Sequence, residues 1–185
     1  MNDIINEAHQ VLKTGGVILY PTDTIPGLGC DATNEKAVNR IFEVKNRPEN
    51  KSMILLVSNE GMLQRYVEEV PEIAWDLLDY ADKPTTLIYP KGINLPKVCL
   101  APDGSVGIRM VKTGYLNKLI QKLGKPLVST SANFSGEPSP LNMEEIHHGL
   151  LDKVDFVVNL PSEAINKASA IIKLEVNGVF KIIRK

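Results

Sequence analysis

Two short runs of uninterrupted apolar residues, Val17-Ile18-Leu19-Tyr20 and Met53-Ile54-Leu55-Leu56-Val57, constrain this chain more than any other feature. A strand with one wet face alternates apolar and polar residues. A run without alternation suits a strand covered on both faces, as central strands are in an α/β layer structure. Helical patterns lie between the runs. Ile4, Ile5, Ala8, Val11 and Leu12 form one stripe that ends where Gly15 offers a left-handed cap. Thr33 precedes a stripe of Ala37, Val38, Ile41, Phe42 and Val44, and Ser58 precedes one of Met62, Leu63, Tyr66 and Val67. Further helices are expected after Pro71, over Leu116 to Leu123 closed by Gly124, and after Asn142.

The remaining strands are read from β-rich segments between turn residues. They are Thr85 to Tyr89, Ser105 to Met110, Pro126 to Ser129, Val154 to Leu160, and the pair Ala170 to Ile172 and Phe180 to Ile183 around Asn177-Gly178, a hairpin signal. The connection from residue 91 to 104 reads as irregular. A hairpin beside buried-type strands predicts a mixed sheet. With 185 residues, 43% of them hydrophobic and 23% charged, the chain suits one globular domain or a tightly fused pair.

A formal net charge of −1 excludes a polycation that holds nucleic acid by phosphate neutralisation alone, though not a local basic patch. Cys30 and Cys99 show neither CxxC spacing nor a disulfide-rich pattern. That fits a reduced, cytoplasmic setting. The N-terminal residues lack the basic start and apolar core of a signal peptide, and no apolar run approaches the roughly 20 residues needed to cross a bilayer.

Chemistry concentrates where strands end. Pro21 closes the first apolar run, and Thr22, Asp23 and Thr24 place two hydroxyls and a carboxylate at the sheet's mouth, the place where open α/β sheets bind ligands. Gly27 and Gly29 are expected to give a tight turn or let a ligand approach the backbone. The following helix ends in Lys45-Asn46-Arg47-Pro48, with Lys51 close behind. Cations beside hydroxyls suit phosphate or carboxylate, and they equally suit compensation of the helix dipole. Arg109 sits in an otherwise apolar strand and needs a carboxylate, either from the protein or from a substrate. Thr130-Ser131-Ala132-Asn133-Phe134-Ser135-Gly136 forms a second polar mouth, whose groups donate and accept. The same residues would also serve a capped turn.

Familiar site motifs are absent: there is no GxxxxGK[ST], HExxH, GxSxG or paired CxxC. Gly27-Leu28-Gly29-Cys30-Asp31-Ala32 fits GxGxxA, but six residues separate it from Tyr20, and the tight strand-to-helix turn of a dinucleotide site is lost. His9, His147 and His148 lie outside the polar mouths and read as surface residues. Trp75 reads as half-buried packing.

Taken in order, Tyr20-Pro21-Thr22-Asp23-Thr24 with Gly27-Leu28-Gly29, Lys45-Asn46-Arg47-Pro48, Ser105-Val106-Gly107-Ile108-Arg109 and Ser129 to Gly136 resemble the YrdC/Sua5 family over nearly the whole chain. The resemblance implies an α/β fold with a twisted mixed parallel/antiparallel sheet flanked by helices around a large basic cavity. It implies one YrdC-like domain over 1–185, without the additional C-terminal domain of longer members. The implied activity is that of a nucleotidyltransferase, which makes threonylcarbamoyl-AMP and pyrophosphate from L-threonine, bicarbonate and ATP for the t6A modification of tRNA. Mg2+ would accompany ATP, and downstream threonylcarbamoyl transferase proteins would receive the product. Contact with tRNA or double-stranded RNA is a further implied partner.

Carried over by position, Lys45 and Arg47 are the catalytic cations. Thr24, Arg109, Ser131 and Ser169 surround threonine, and Arg47, Lys51, Ser105, Asn133, Ser139 and Arg184 contact the nucleotide. Asp23 is an outer helper to the metal. Two alternatives stand beside this. One is an RNA-binding module without chemistry; the other is a carbamoyl transferase relative, which the lack of accompanying acylphosphatase or zinc-finger segments disfavours.

Overall fold

The apolar runs become inner strands of one mixed sheet. The computed structural model describes residues 1–46, 53–161, 164–165, 167–175 and 179–185. Along the chain these form α1 (Asn2–Lys13), β1 (Ile18–Tyr20), β2 (Gly27–Gly29), α2 (Glu35–Lys45), β3 (Ile54–Val57), α3 (Glu60–Tyr66), α4 (Glu72–Asp79), β4 (Thr85–Tyr89), β5 (Val106–Met110), α5 (Gly114–Leu123), β6 (Leu127–Ser131), α6 (His148–Leu151), β7 (Phe156–Val157), β8 (Ala170–Leu174) and β9 (Phe180–Arg184). Single 3-10 turns occupy Lys97–Cys99 and Met143–Glu145. The strand order is β7-β1-β2-β6-β3-β5-β4-β8-β9. The β1/β7, β3/β5 and β4/β8 pairs are parallel, and the rest antiparallel.

Burial follows the lack of alternation in the two opening runs: Ile18, Leu19, Tyr20, Leu55, Leu56 and Val57 are wholly buried. α1 packs on α5 and β1, α5 on β3, and α3 on β3 and β5. The core joins these helices to the sheet in one cluster.

Gly27 and Gly29 form a strand, not the expected turn. The reason is Tyr20. Its ring lies across β2, and its hydroxyl donates to Val128 O in β6, 3.2 Å away. A Cβ on Gly29 would stand 2.4 Å from Val128 O and 2.7 Å from Tyr20 Cε1, so the close approach that glycine permits here is made by a tyrosine ring, not by a ligand.

Helix caps also differ from expectation. Asn34, not Thr33, caps α2 by accepting from Ala37 N, because Thr33 is already bound to Asp31 through its N–H and its hydroxyl. Asn59, not Ser58, caps α3 by accepting from Met62 N at 2.8 Å. Pro71, which suits the first helical position, is instead the N-cap of α4, and the helix starts one residue later at Glu72. Asn142 caps only a 3-10 turn, and the short helix α6 begins later, at His148. Asn142 Oδ1 caps Glu144 and Glu145, while the Glu145 carboxylate returns to Leu141 N and Asn142 Nδ2 and closes the turn on itself. The strand expected over 154 to 160 shortens to β7, an edge strand paired only with β1. The hairpin strands β8 and β9 pair as expected, with their Asn177-Gly178 turn outside the described residues. Trp75 is half-buried, and His147 and His148 are exposed. His9 is half-buried instead, and desolvation, then Lys122 and Lys13, lower its pKa.

α2 is tied to the end of the sheet near β7 by Arg40. Its guanidinium meets both Asp155 oxygens, and Asp155 Oδ2 also accepts from Val17 N at 2.8 Å. The hydrogen bond from Arg40 holds the Asp155 carboxyl below its ordinary value of 3.8. A carboxyl depressed in the folded state contributes stability above 3.8 that is lost as pH falls below it. Asp155→Asn is therefore expected to destabilise at neutral pH by about 1 kcal/mol or less, since both partners are over a third exposed. The gap from wild type should close in urea titrations below pH 3.8.

The glycine reading makes a second prediction for the same titrations. Gly29→Ala should cost about 3 kcal/mol through overpacking. Gly61→Ala in α3, where a Cβ meets nothing nearer than 3.5 Å, should be neutral or stabilise by about 0.5–1 kcal/mol.

Candidate active site

Cross-strand register assembles the site from distant parts of the chain. Gly27 pairs with Ser131, Ser129 with Ile54, and Ile54 with Gly107, whose face Arg109 shares. The row then continues from Arg109 to Thr86 on β4, to Ile171 on β8 and to Arg184 on β9. A register shift between Ile171 and Ile172 interrupts the β8/β9 ladder directly beside Arg184.

Over this face lies a cavity of about 210 Å³. It brings together Thr24, Arg109, Ser131, Ser139, Ser169 and Arg184, six of the residues singled out from the sequence. Among its described lining residues there are two guanidinium groups and no carboxylate.

Arg109 is buried, and its NH1 meets Asp23 Oδ1. The carboxylate that the sequence demanded is thus found in the protein, at the first polar mouth. A guanidinium has five N–H donors, so this contact leaves Arg109 able to bind a second carboxylate. Arg184 donates from Nε to Ser169 O at 2.8 Å and from NH2 towards Ser169 Oγ at 3.4 Å. Burial draws its pKa below the ordinary value.

Lys45 ends α2 and is 2% exposed. Its ammonium donates to the carbonyl of Ser131, to Asn133 O at 2.7 Å and to Asn133 Oδ1 at 3.4 Å. Its own carbonyl accepts from Ser135 N at 2.8 Å. The end of α2 and the second polar mouth therefore meet. Asn133 completes the corner by donating from Nδ2 to Phe134 O and Glu137 O. Asn46 follows in a left-handed conformation, φ 49° and ψ 44°, which turns the chain off the helix. Arg47 and Lys51 lie outside the described residues.

Ser105 stands apart. It is absent from the cavity lining, and its N–H and hydroxyl both donate to Asp103 Oδ1, at 3.0 and 2.6 Å.

Sequence reasoning missed two hydroxyl residues and undervalued a third. Thr86 is 1% exposed, pairs across the sheet with Arg109, and lies 2.8 Å from the Ser169 hydroxyl. No local sequence signal marks it, because its neighbours come from the strand order. Ser129 lines the cavity beside Ser131 on the same face. Thr22 is 2% exposed and bonded to Thr24, although it was read only as part of an open polar mouth.

Several groups drop out as chemical agents. Burial raises the Tyr20 and Tyr115 phenols well above their ordinary value, and Tyr115 donates its proton to Pro21 O. Cys30 and Cys99 are buried free thiols, with Cys99 pushed up to about 12 by desolvation. Among the described residues, no three His, Cys, Asp or Glu side chains gather as metal ligands, and no helix is long and apolar enough to cross a membrane.

Known proteins can now be set beside this geometry. The profile of the Sua5_yciO_yrdC family, described as telomere recombination, matches residues 10–185. The threonylcarbamoyl-AMP synthase of Pseudoalteromonas translucida is 35% identical over 177 residues, covering 94% of each chain. Pyrococcus abyssi Sua5, solved in complex with L-threonine, superposes with a TM-score of 0.82 at 30% identity, covering 92% of this chain and 50% of that one. Escherichia coli YciO superposes with a TM-score of 0.82 at 26% identity, covering 100% of this chain and 90% of that one. The sheet and its flanking helices match those of these solved structures, and the chain belongs to the Sua5/YciO/YrdC family.

Proposed function

We propose that this chain is a threonylcarbamoyl-AMP synthase, which joins L-threonine, bicarbonate or CO2, and ATP, and releases pyrophosphate. The observation that carries this reading is the cavity face on which two arginines and five buried or half-buried hydroxyl residues converge beside the Lys45 corner. A relative solved with L-threonine supports the amino acid as substrate.

In this reading Arg109 takes the threonine carboxylate, with Thr24, Ser131 and Ser169 around the rest of the molecule. Arg184, Ser139, Asn133 and the cations at Arg47 and Lys51 face the nucleotide. The amine adds to bicarbonate, an N–C bond forms and water leaves. One carbamate oxygen then attacks the α-phosphorus of ATP. The new O–P bond forms as the bond to the β-phosphate oxygen breaks, and pyrophosphate departs. With no activated nucleophile among the described lining residues, catalysis rests on placing the reactants and stabilising charge. Magnesium would arrive as part of the nucleotide substrate, bound to its phosphates, with the described lining residues offering hydroxyls beside it. The product is an activated acyl phosphate for a downstream transferase that modifies tRNA.

Lys45 supplies its positive charge from behind the cavity and holds Ser131 and Asn133 in place. Lys45→Met is expected to lower stability by about 2 kcal/mol, because those carbonyls lose their donor, as measured by urea unfolding.

Pyrophosphate release is the test of the function. Omitting either L-threonine or bicarbonate should reduce it to background. Arg47→Ala should abolish it, and Arg109→Ala should raise KM for L-threonine about a hundredfold with a smaller change for ATP. Full activity in both variants would refute the assignment.

A further inference from the structure

The segment from Thr22 to Ile25 has a hydroxyl arrangement whose proton positions can be counted. Thr22 Oγ1 lies 2.8 Å from the carbonyl oxygen of Ile25, which can only accept, so the single Thr22 hydroxyl proton goes there. Thr24 N donates to the same Oγ1 at 2.9 Å. The Thr24 hydroxyl oxygen is also 2.8 Å from Thr22 Oγ1. Thr22 has no second proton, so Thr24 is the donor in that contact. Thr22 then gives one hydrogen bond and receives two, the full complement of a hydroxyl.

The consequence falls on Thr24. It lines the cavity at 5% exposure, whereas Thr22, at 2%, is absent from the lining. With its only proton committed to Thr22, the Thr24 hydroxyl meets any ligand as an acceptor. We infer that Thr22 is a positioning residue that fixes the polarity of Thr24, so that this corner of the site selects a ligand group bearing N–H or O–H and disfavours carboxylate or phosphate oxygen. The inference rests on the proposed function for its ligand. In L-threonine the donors are the amine and the side-chain hydroxyl, while the carboxylate goes to Arg109. The two contacts together fix which way round the amino acid lies.

Two variants separate polarity from shape. Thr22→Ser keeps all three hydrogen bonds; Thr22→Val keeps the volume and loses them, freeing the Thr24 proton to turn towards the cavity. L-threonine affinity would be measured by calorimetry without nucleotide, and kcat and both KM values by pyrophosphate release. T22S should bind L-threonine within about twofold of wild type, and T22V should bind it about 10–100-fold more weakly with KM for ATP nearly unchanged. Equal loss in T22S and T22V, an unchanged T22V, or a parallel rise in KM for ATP would overturn the inference. Should T22V not fold, NMR of the wild-type hydroxyl protons decides it. The Thr22 proton should be found against Ile25 O, and finding it against Thr24 overturns the inference. Failure of the proposed function appears separately, as a folded wild type that binds no L-threonine, and removes this inference with it.

Discussion

The buried ammonium of Lys45 is the interaction on which the site's architecture depends. A cation taken out of water is costly unless oxygens replace its hydration. Here they come from the carbonyl of Ser131 and from the carbonyl and side chain of Asn133, so the end of α2 and the end of β6 are fixed to one another. The backbone contact between Ser135 and Lys45 adds a second tie, and Ala132 N reaches Pro26 O at 3.0 Å to draw in the loop before β2. The charge joins two segments far apart in sequence, and the backbone bond to Pro26 adds a third. The left-handed Asn46 then ends the helix at that corner.

Much of this was legible beforehand, for identifiable reasons. The unbroken apolar runs announced inner strands, and helical periodicity placed α1, α2 and α5 with their glycine or asparagine ends. What periodicity cannot see is competition among neighbouring polar groups. Thr33 and Asn34 are equally plausible caps by type, and the choice falls to Asn34 only because Asp31 has captured Thr33. The turn expected at the β2 glycines fails for a related reason: Gly29 makes room for a tyrosine ring from the adjacent strand, a contact that lives in the pairing register and not in local sequence, while Gly27 lines the cavity.

The candidate site shows the same division. The residue types were visible, since cations and hydroxyls clustered at strand ends stand out against apolar strands. The partners were not. Arg109 clearly required a carboxylate, yet that Asp23 supplies it across a separation of 86 residues follows only from the fold. Thr86 escaped notice because a threonine in a strand is ordinary. Its importance comes from standing between Arg109 and Ser169 in the assembled sheet.

β9 has a consequence for the affinity of bound ligand. It is an edge strand with a single neighbour, all five of its residues are exposed, and its ladder carries an irregularity next to Arg184. Such a strand opens at a free energy below that of global unfolding. Whatever binds across Arg184 and Ser169 closes that seam from inside and lends it the free energy of association. Affinity at the cavity and fraying of the last described strand are then two readings of one equilibrium.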